Sequence, residues 1–179
     1  MQRLFDIIFS GLALLILAPL LVPIMILLRF TGEGEIFYVQ QRVGAKGRMF
    51  GLLKFATMLK NSPSIGTGTV TVKNDPRVLP MGGFLRKTKI NELPQLINIL
   101  KGDMSFVGPR PALFNQDDLI ALRTQYGVHE LVPGLTGWAQ VNGRDELPIP
   151  EKVKLDVEYL HRRSLWFDIR ILWLTFVKV

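Results

Sequence analysis

The stretch KINELPQLINILKGDMSFVGPRP, residues 89–111, holds the residues whose types and spacing could do chemistry. Asn91 and Glu92 stand just before Leu93-Pro94 and an apolar pattern. Leu93, Leu96, Ile97 and Leu100 fall at i, i+3, i+4 and i+7, one face of a helix. With Asn91 as N-cap, Pro94 sits in the first turn, where its missing N–H costs nothing. A helix start presents unpaired N–H groups that hold anions. The Gly108-Pro109-Arg110-Pro111 turn presents an arginine, which grips phosphate bidentately. Arg86 and Lys87 add positive charge just upstream. The group points to chemistry on a phosphate or pyrophosphate, with Glu92 as acid/base or metal ligand. An oxygen-liganded ion such as Mg²⁺ suits a carboxylate and a phosphate together. A purely structural reading competes: asparagine is a preferred N-cap, and a first-turn glutamate stabilises a helix.

Around this stretch the chain reads as an α/β domain rich in helix. EIFYVQQRV, a GAKGR turn and MFGLLKFA give a small β-hairpin over 35–56. Residues 61–77 are a polar loop, and 133–144 read as a Gly-rich loop carrying Trp138, Gln140 and Arg144. Amphipathic helices are expected at 115–126, 151–161 and 165–177. Asp117 and Asp118 fit the positive end of the first of these better than an acid/base pair. The last is too short to span a bilayer and suits an interface, with Trp166 and Trp173 as anchors. His129 and His161 are isolated and expected as ordinary surface or core histidines.

The first residues limit where the domain works. Ile7 to Leu28 carry no formal charge, and a spanning helix needs about 20 such residues. Pro19 and Pro23 interrupt the segment, and positive residues, Arg3 and Arg29, flank both sides. A re-entrant helix broken near Ala18-Pro19 and a kinked span both fit. The 179-residue chain has no cysteine, which excludes disulfides and thiolate metal sites. Its net charge of +7 favours anionic partners. The apolar N-terminus and the lack of a recognisable motif argue against nucleic acid.

The segments FYVQQRVG, KFATM, FLRKTKINELPQLINILKGDMSFVGPRP, VPGLTGWAQVNGR and DVEYL…SLWFDIRILWLT together resemble the bacterial sugar transferases. These are small monotopic phosphoglycosyl transferases that use polyprenyl phosphate. The resemblance implies a re-entrant membrane helix hairpin over 1–30 and a membrane-associated catalytic domain over 31–179. That domain would carry interfacial amphipathic helices and lie on the cytoplasmic face of the inner membrane. It implies transfer of a phospho-sugar from a UDP-sugar to polyprenyl phosphate with Mg²⁺, and it leaves room for a homodimer. By position, Asn91 and Glu92 match the catalytic and metal-binding dyad, and Arg86, Arg110 and Lys54 the phosphate contacts. Asp168, Arg144 and Gln140 match weaker substrate contacts.

Two positions depart from the family pattern. Asn91 stands where the family has the nucleophilic aspartate, which implies an inactive form of the enzyme. An engineered change accounts for it better than a degenerate homologue does. Ala56 stands where the family often has arginine. The competing expectation is a non-catalytic protein that binds nucleotide sugar or polyprenyl phosphate in a glycan-assembly complex.

Overall fold

The computed structural model describes residues 1–68, 70–143 and 146–178. These form two compact units. One comprises residues 11–40 and 52–97, the other 1–10, 41–51 and 98–179. Helix α1 (Gln2–Phe30) opens the chain, followed by β1 (Phe37–Val43) and β2 (Met49–Phe55). Helices α2 (Gly82–Lys87) and α3 (Gln95–Lys101) precede β3 (Ser105–Val107) and β4 (Ala112–Leu113). Then come α4 (Asp117–Gln125), β5 (Gly134–Thr136), α5 (Trp138–Asn142), α6 (Ile149–Arg162) and α7 (Leu165–Lys178). The expected hairpin and helices are present. Residues 133–144 are a correction, because the described part holds a strand and a short helix rather than a loop.

The expected helix break near Ala18-Pro19 is also corrected. Residues 2–30 form one helix with both prolines inside it. Pro19 and Pro23 are four residues apart, so the ladder bonds they remove lie on one face. The bonds on the opposite face carry the helix through. Re-entry then requires a bend within a continuous helix, not two helices and a turn.

In the first unit, Leu21, Ile24 and Leu28 make one buried stripe of α1 against Phe55 and Leu85, joined by Ile36, Ile90 and Leu93. Leu15, Ile16, Val22 and Ile26 remain exposed on the same helix. The polar loop 61–77 folds around one buried guanidinium. Arg77 donates to the carbonyls of Ser62, Ile65, Gly68 and Val70 at 2.7 to 2.8 Å and to the hydroxyl of Thr67. It also pairs with Asp75, and this hydrogen-bonded pairing holds the Asp75 carboxyl well below the usual carboxylate range.

In the second unit, the polar start of α1 is tied down by side chains. Arg3 donates to the carbonyls of Ile99 at 2.5 Å and Leu100 at 2.6 Å, capping the last turn of α3. Asp6 is buried and accepts from Ser105 Oγ at 3.1 Å and Phe106 N–H at 3.3 Å. β3 pairs in parallel with β5, and β1 runs antiparallel to β4 in a sheet of order β2-β1-β4. Val107, Val128, Leu131, Val141, Tyr159, Phe167 and Ile171 form the core beneath β3 and β5. Helix α7 buries Phe167 and Ile171, while Trp166 is 81% and Phe176 82% exposed.

The β3–β5 pair depends on glycine. A Cβ on Gly134 would lie 2.1 Å from Gly108 N and 2.5 Å from Thr136 O, both backbone atoms that cannot swing away. Gly134→Ala is therefore expected to cost about 3 kcal/mol and lower the melting temperature by several degrees. Gly83→Ala, in α2 with nothing within 4 Å of its Cβ, is expected to raise stability by about 0.5–1 kcal/mol. Thermal melts of the two variants in detergent check the opposite signs.

Candidate functional site

The first unit holds Lys54, Arg86, Asn91 and Glu92. Each is a chain neighbour of a residue in the apolar cluster: Lys54 of Phe55, Arg86 of Leu85, Asn91 of Ile90 and Glu92 of Leu93. Helix α2 packs against the turn that carries Asn91. The cluster thereby sets two cations, a carboxylate and an amide on the same short segments. Lys54, Arg86 and Glu92 are half-buried, so each keeps a solvent-facing part.

Thr57, which the residue types alone did not single out, supports this arrangement. A Cβ on Gly82 would fall 2.1 Å from Thr57 O, so the start of α2 presses directly on that backbone. Arg86 Nη1 lies 3.5 Å from Thr57 Oγ1, at the outer limit of a hydrogen bond. The signal was the threonine of KFATM, a polar residue that the fold buries.

Asn91 is not the N-cap of α3. It lies in a 3₁₀ turn, Ile90–Glu92, entered through Lys89 at φ 61°, and α3 begins only at Gln95. An N-cap side chain bonds the N–H two or three residues on. Here the N–H of Leu93 is taken by Ile90 O at 3.1 Å, and Pro94 has none. Asn91 Oδ1 is consequently buried with no hydrogen-bond partner. Helix α3 has only seven residues and starts after this turn, so its dipole does not explain the site. An orphaned buried oxygen is costly unless something outside the chain meets it.

That oxygen tests the fit of a divalent ion. Among the described residues there is no cluster of three or more metal-ligating side chains. A Mg²⁺ site typically uses one or two carboxylates and completes its shell with water and substrate phosphate. Asn91 Oδ1 and the adjacent Glu92 carboxylate fit that donor set.

Arg110, Gln140 and Asp168 lie in the second unit, and Arg144 lies outside the described residues. Buried arginines hold the backbone around Arg110. Arg123 Nη1 donates to Arg110 O at 2.7 Å, and Arg42 Nη1 to Pro111 O at 2.8 Å. Arg123 in turn grips Asp156 through Nε at 2.9 Å and Nη2 at 2.8 Å. Gln140 Nε2 donates weakly to Leu135 O at 3.3 Å, and its Oε1 is buried without a partner. Asp168 accepts from Tyr159 Oη at 2.8 Å. Burial first, and the charge of Asp6 second, push the Asp168 carboxyl up, while the Tyr159 bond opposes them.

The chemistry these groups allow can be set beside known proteins. The model of the family described as bacterial sugar transferase matches residues 1–179. The chain belongs to the bacterial sugar transferase family. Relatives in the family include the UDP-glucose:undecaprenyl-phosphate glucose-1-phosphate transferase of Escherichia coli K12. It is 40% identical over 99% of this chain and 40% of its own length. The undecaprenyl-phosphate galactose phosphotransferase of Salmonella typhimurium is 36% identical over 98% of this chain and 39% of its own length. The exopolysaccharide production protein ExoY of Rhizobium meliloti is 35% identical, with 99% of this chain and 84% of that protein covered. The chain thus spans about two-fifths of the length of the first two relatives and most of the third. The family is one of sugar-phosphate transferases, which are enzymes.

Two stability outcomes follow from the second unit. Arg123→Met leaves Asp156 buried and unpaired, at an expected cost of about 3–5 kcal/mol, and Asp156→Asn in the same chain recovers part of it. A double-mutant cycle by thermal unfolding checks the coupling. For Asp168, a raised folded pKa means the folded state favours the protonated acid. Its stabilising contribution is complete below the unfolded value of about 3.9 and is lost as pH rises through the folded value. Asp168→Asn cannot ionise and still accepts from Tyr159. Its melting temperature should exceed the parent's at pH 7 and fall less between pH 4 and pH 7. Parallel curves for the two proteins would contradict this.

Proposed function

We propose that this chain is the transferase domain of a phosphoglycosyl transferase that moves a phospho-sugar from a UDP-sugar to polyprenyl phosphate. In its present form the first step is stopped by Asn91. The observation that carries the reading is the buried, unpartnered Asn91 Oδ1 beside Glu92, in a unit that also supplies Lys54 and Arg86. With aspartate at 91, that oxygen is anionic. It attacks the sugar-linked phosphorus, forms an acyl phosphate and releases UMP. Polyprenyl phosphate then attacks the same phosphorus and frees the aspartate, giving polyprenyl diphospho-sugar. Lys54 and Arg86 offset phosphate charge in the first unit, and Arg110 is a phosphate contact of the second. Glu92 supports the metal or assists the acceptor phosphate. Bound Mg²⁺ would supply charge neutralisation at the pyrophosphate. A carboxamide has no anionic oxygen to attack with, so the chain as it stands holds substrates without turning them over.

The membrane reading is monotopic, on the cytoplasmic face, with residues 1–30 dipping in and returning. Among the described residues only α1 is long and apolar enough to cross a bilayer. If it crossed, residues 99–106 would lie on the far side from Arg3 and Asp6. Yet those two side chains hydrogen-bond Ile99, Leu100, Ser105 and Phe106. This supports α1 entering and leaving by one face. The exposed Trp166, Trp173 and Phe176 of α7 support an interfacial position for that helix.

Asn91→Asp should release UMP from at least one member of a UDP-sugar panel, given polyprenyl phosphate and Mg²⁺, at least about a thousandfold faster than the Asn91 chain. Binding of nucleotide sugar with no UMP from the Asp variant would favour the non-catalytic binder. In sealed vesicles, tags at residues 1 and 179 should be protected together. Labelling from opposite sides would rule out the re-entrant topology.

A further inference from the structure

The turn that carries Asn91 and Glu92 runs on into a side chain with no evident task in the fold. Gln95 is the first residue of α3 and is only 5% exposed. Its carboxamide carries two N–H donors and an acceptor oxygen, and among the described residues no group hydrogen-bonds it. Neither polar atom is enclosed by the fold, so both reach the little surface that the residue keeps. A buried amide without a partner costs free energy. Methionine has about the same volume and no amide to satisfy. An amide kept here at that cost points to a partner outside the chain.

The backbone decides where this amide stands. From Lys89 to Ile97 the N–H groups reach back three residues. Glu92 donates to Lys89 O, Leu93 to Ile90 O, Leu96 to Leu93 O and Ile97 to Pro94 O, at 3.0 to 3.1 Å. A chain coiled this way makes a turn every three residues, so residues three apart stand one above the other, about 6 Å apart. Glu92 and Gln95 are such a pair. A half-buried carboxylate and a neutral donor thereby share one side of the turn, in the unit that also holds Lys54 and Arg86.

We infer that Gln95 contacts the sugar-linked phosphate of the UDP-sugar, its carboxamide donating an N–H to a non-bridging oxygen. With aspartate at 91, the attacking oxygen forms its bond to phosphorus as the bond to the UMP oxygen breaks. Charge on the non-bridging oxygens is redistributed in that step, and a fixed N–H donor stabilises it. The amide bonds the oxygen and gives up no proton. The assignment rests on the transferase reading, because it adds a donor to the phosphate that this reading brings to residue 91.

Two measurements test it. The Asn91 chain, in detergent with Mg²⁺, is titrated calorimetrically with inorganic pyrophosphate, the group that every UDP-sugar shares. Gln95→Met should weaken that binding about tenfold. Its melting temperature should equal or exceed the parent's, because the unpartnered amide is gone. The second measurement uses the Asn91→Asp chain, the UDP-sugar it accepts and no polyprenyl phosphate, so that only the first step is read. There Gln95→Met should slow the single burst of UMP about a hundredfold. A glutamine that merely supports the fold would lower the melting temperature when replaced and leave pyrophosphate affinity unchanged. The assignment is overturned by that pattern, by a parent that binds no pyrophosphate, or by a burst at the parental rate. Slowing that appears only once polyprenyl phosphate is added overturns it too, since the contact would then be to the acceptor. The transferase reading is judged separately, on UMP release by Asn91→Asp. Without that release it falls, and Gln95 is decided by pyrophosphate alone. Release that Gln95→Met leaves untouched sinks Gln95 and spares the transferase.

Discussion

An apolar helix anchored by its polar end to the domain that follows it is the constraint from which the rest proceeds. Arg3 closes the last turn of α3, and Asp6 is received by Ser105 and Phe106. Both are charged groups placed against backbone or buried hydroxyl partners, where charge-assisted bonds are strong and an unmet charge is costly. Losing either bond set would free the first turn of a 29-residue helix whose exposed face is apolar. The entry of that helix is therefore fixed by the same segment, 98–107, that leads into the Gly-Pro-Arg-Pro turn.

The candidate site follows a second rule, in which each functional side chain borrows its position from an apolar neighbour. Phe55, Leu85, Ile90 and Leu93 occupy one cluster, and Lys54, Arg86, Asn91 and Glu92 are their chain partners. Packing of the apolar neighbours thereby sets where these polar groups stand. The backbone at Arg110 is held differently, by guanidinium groups acting on main-chain carbonyls. In both places the positioning work is done by residues that would not touch a substrate.

Much of this was legible in the residues. The β-branched and aromatic residues of 35–43, the helical spacing after Leu93 and the mixed charge of 151–161 each specify an element locally. What was not legible depended on distant partners. Gly134 and Gly137 read as loop residues because nothing in their own neighbourhood reveals that Gly108 backbone lies 2.1 Å from where a Cβ would stand. Asn91 read as an N-cap because capping is a local preference. The loss of that role needs Pro94 and the Leu93 N–H considered together with the actual start of α3. The helix through Pro19 and Pro23 defied a sound local rule because the two defects share a face.

The loop around Arg77 has a consequence for how this surface can change over evolutionary time. Four of the oxygens that Arg77 holds, those of Ser62, Ile65, Gly68 and Val70, belong to the main chain, and only Asp75 and Thr67 contribute side chains. A guanidinium that reads carbonyls is indifferent to the side chains those residues carry. Shape and sequence are thereby uncoupled across most of the segment. One arginine preserves the path of the chain while the outward-facing residues, Ile65, Val70 and Val72 among them, are free to diverge from one homologue to the next.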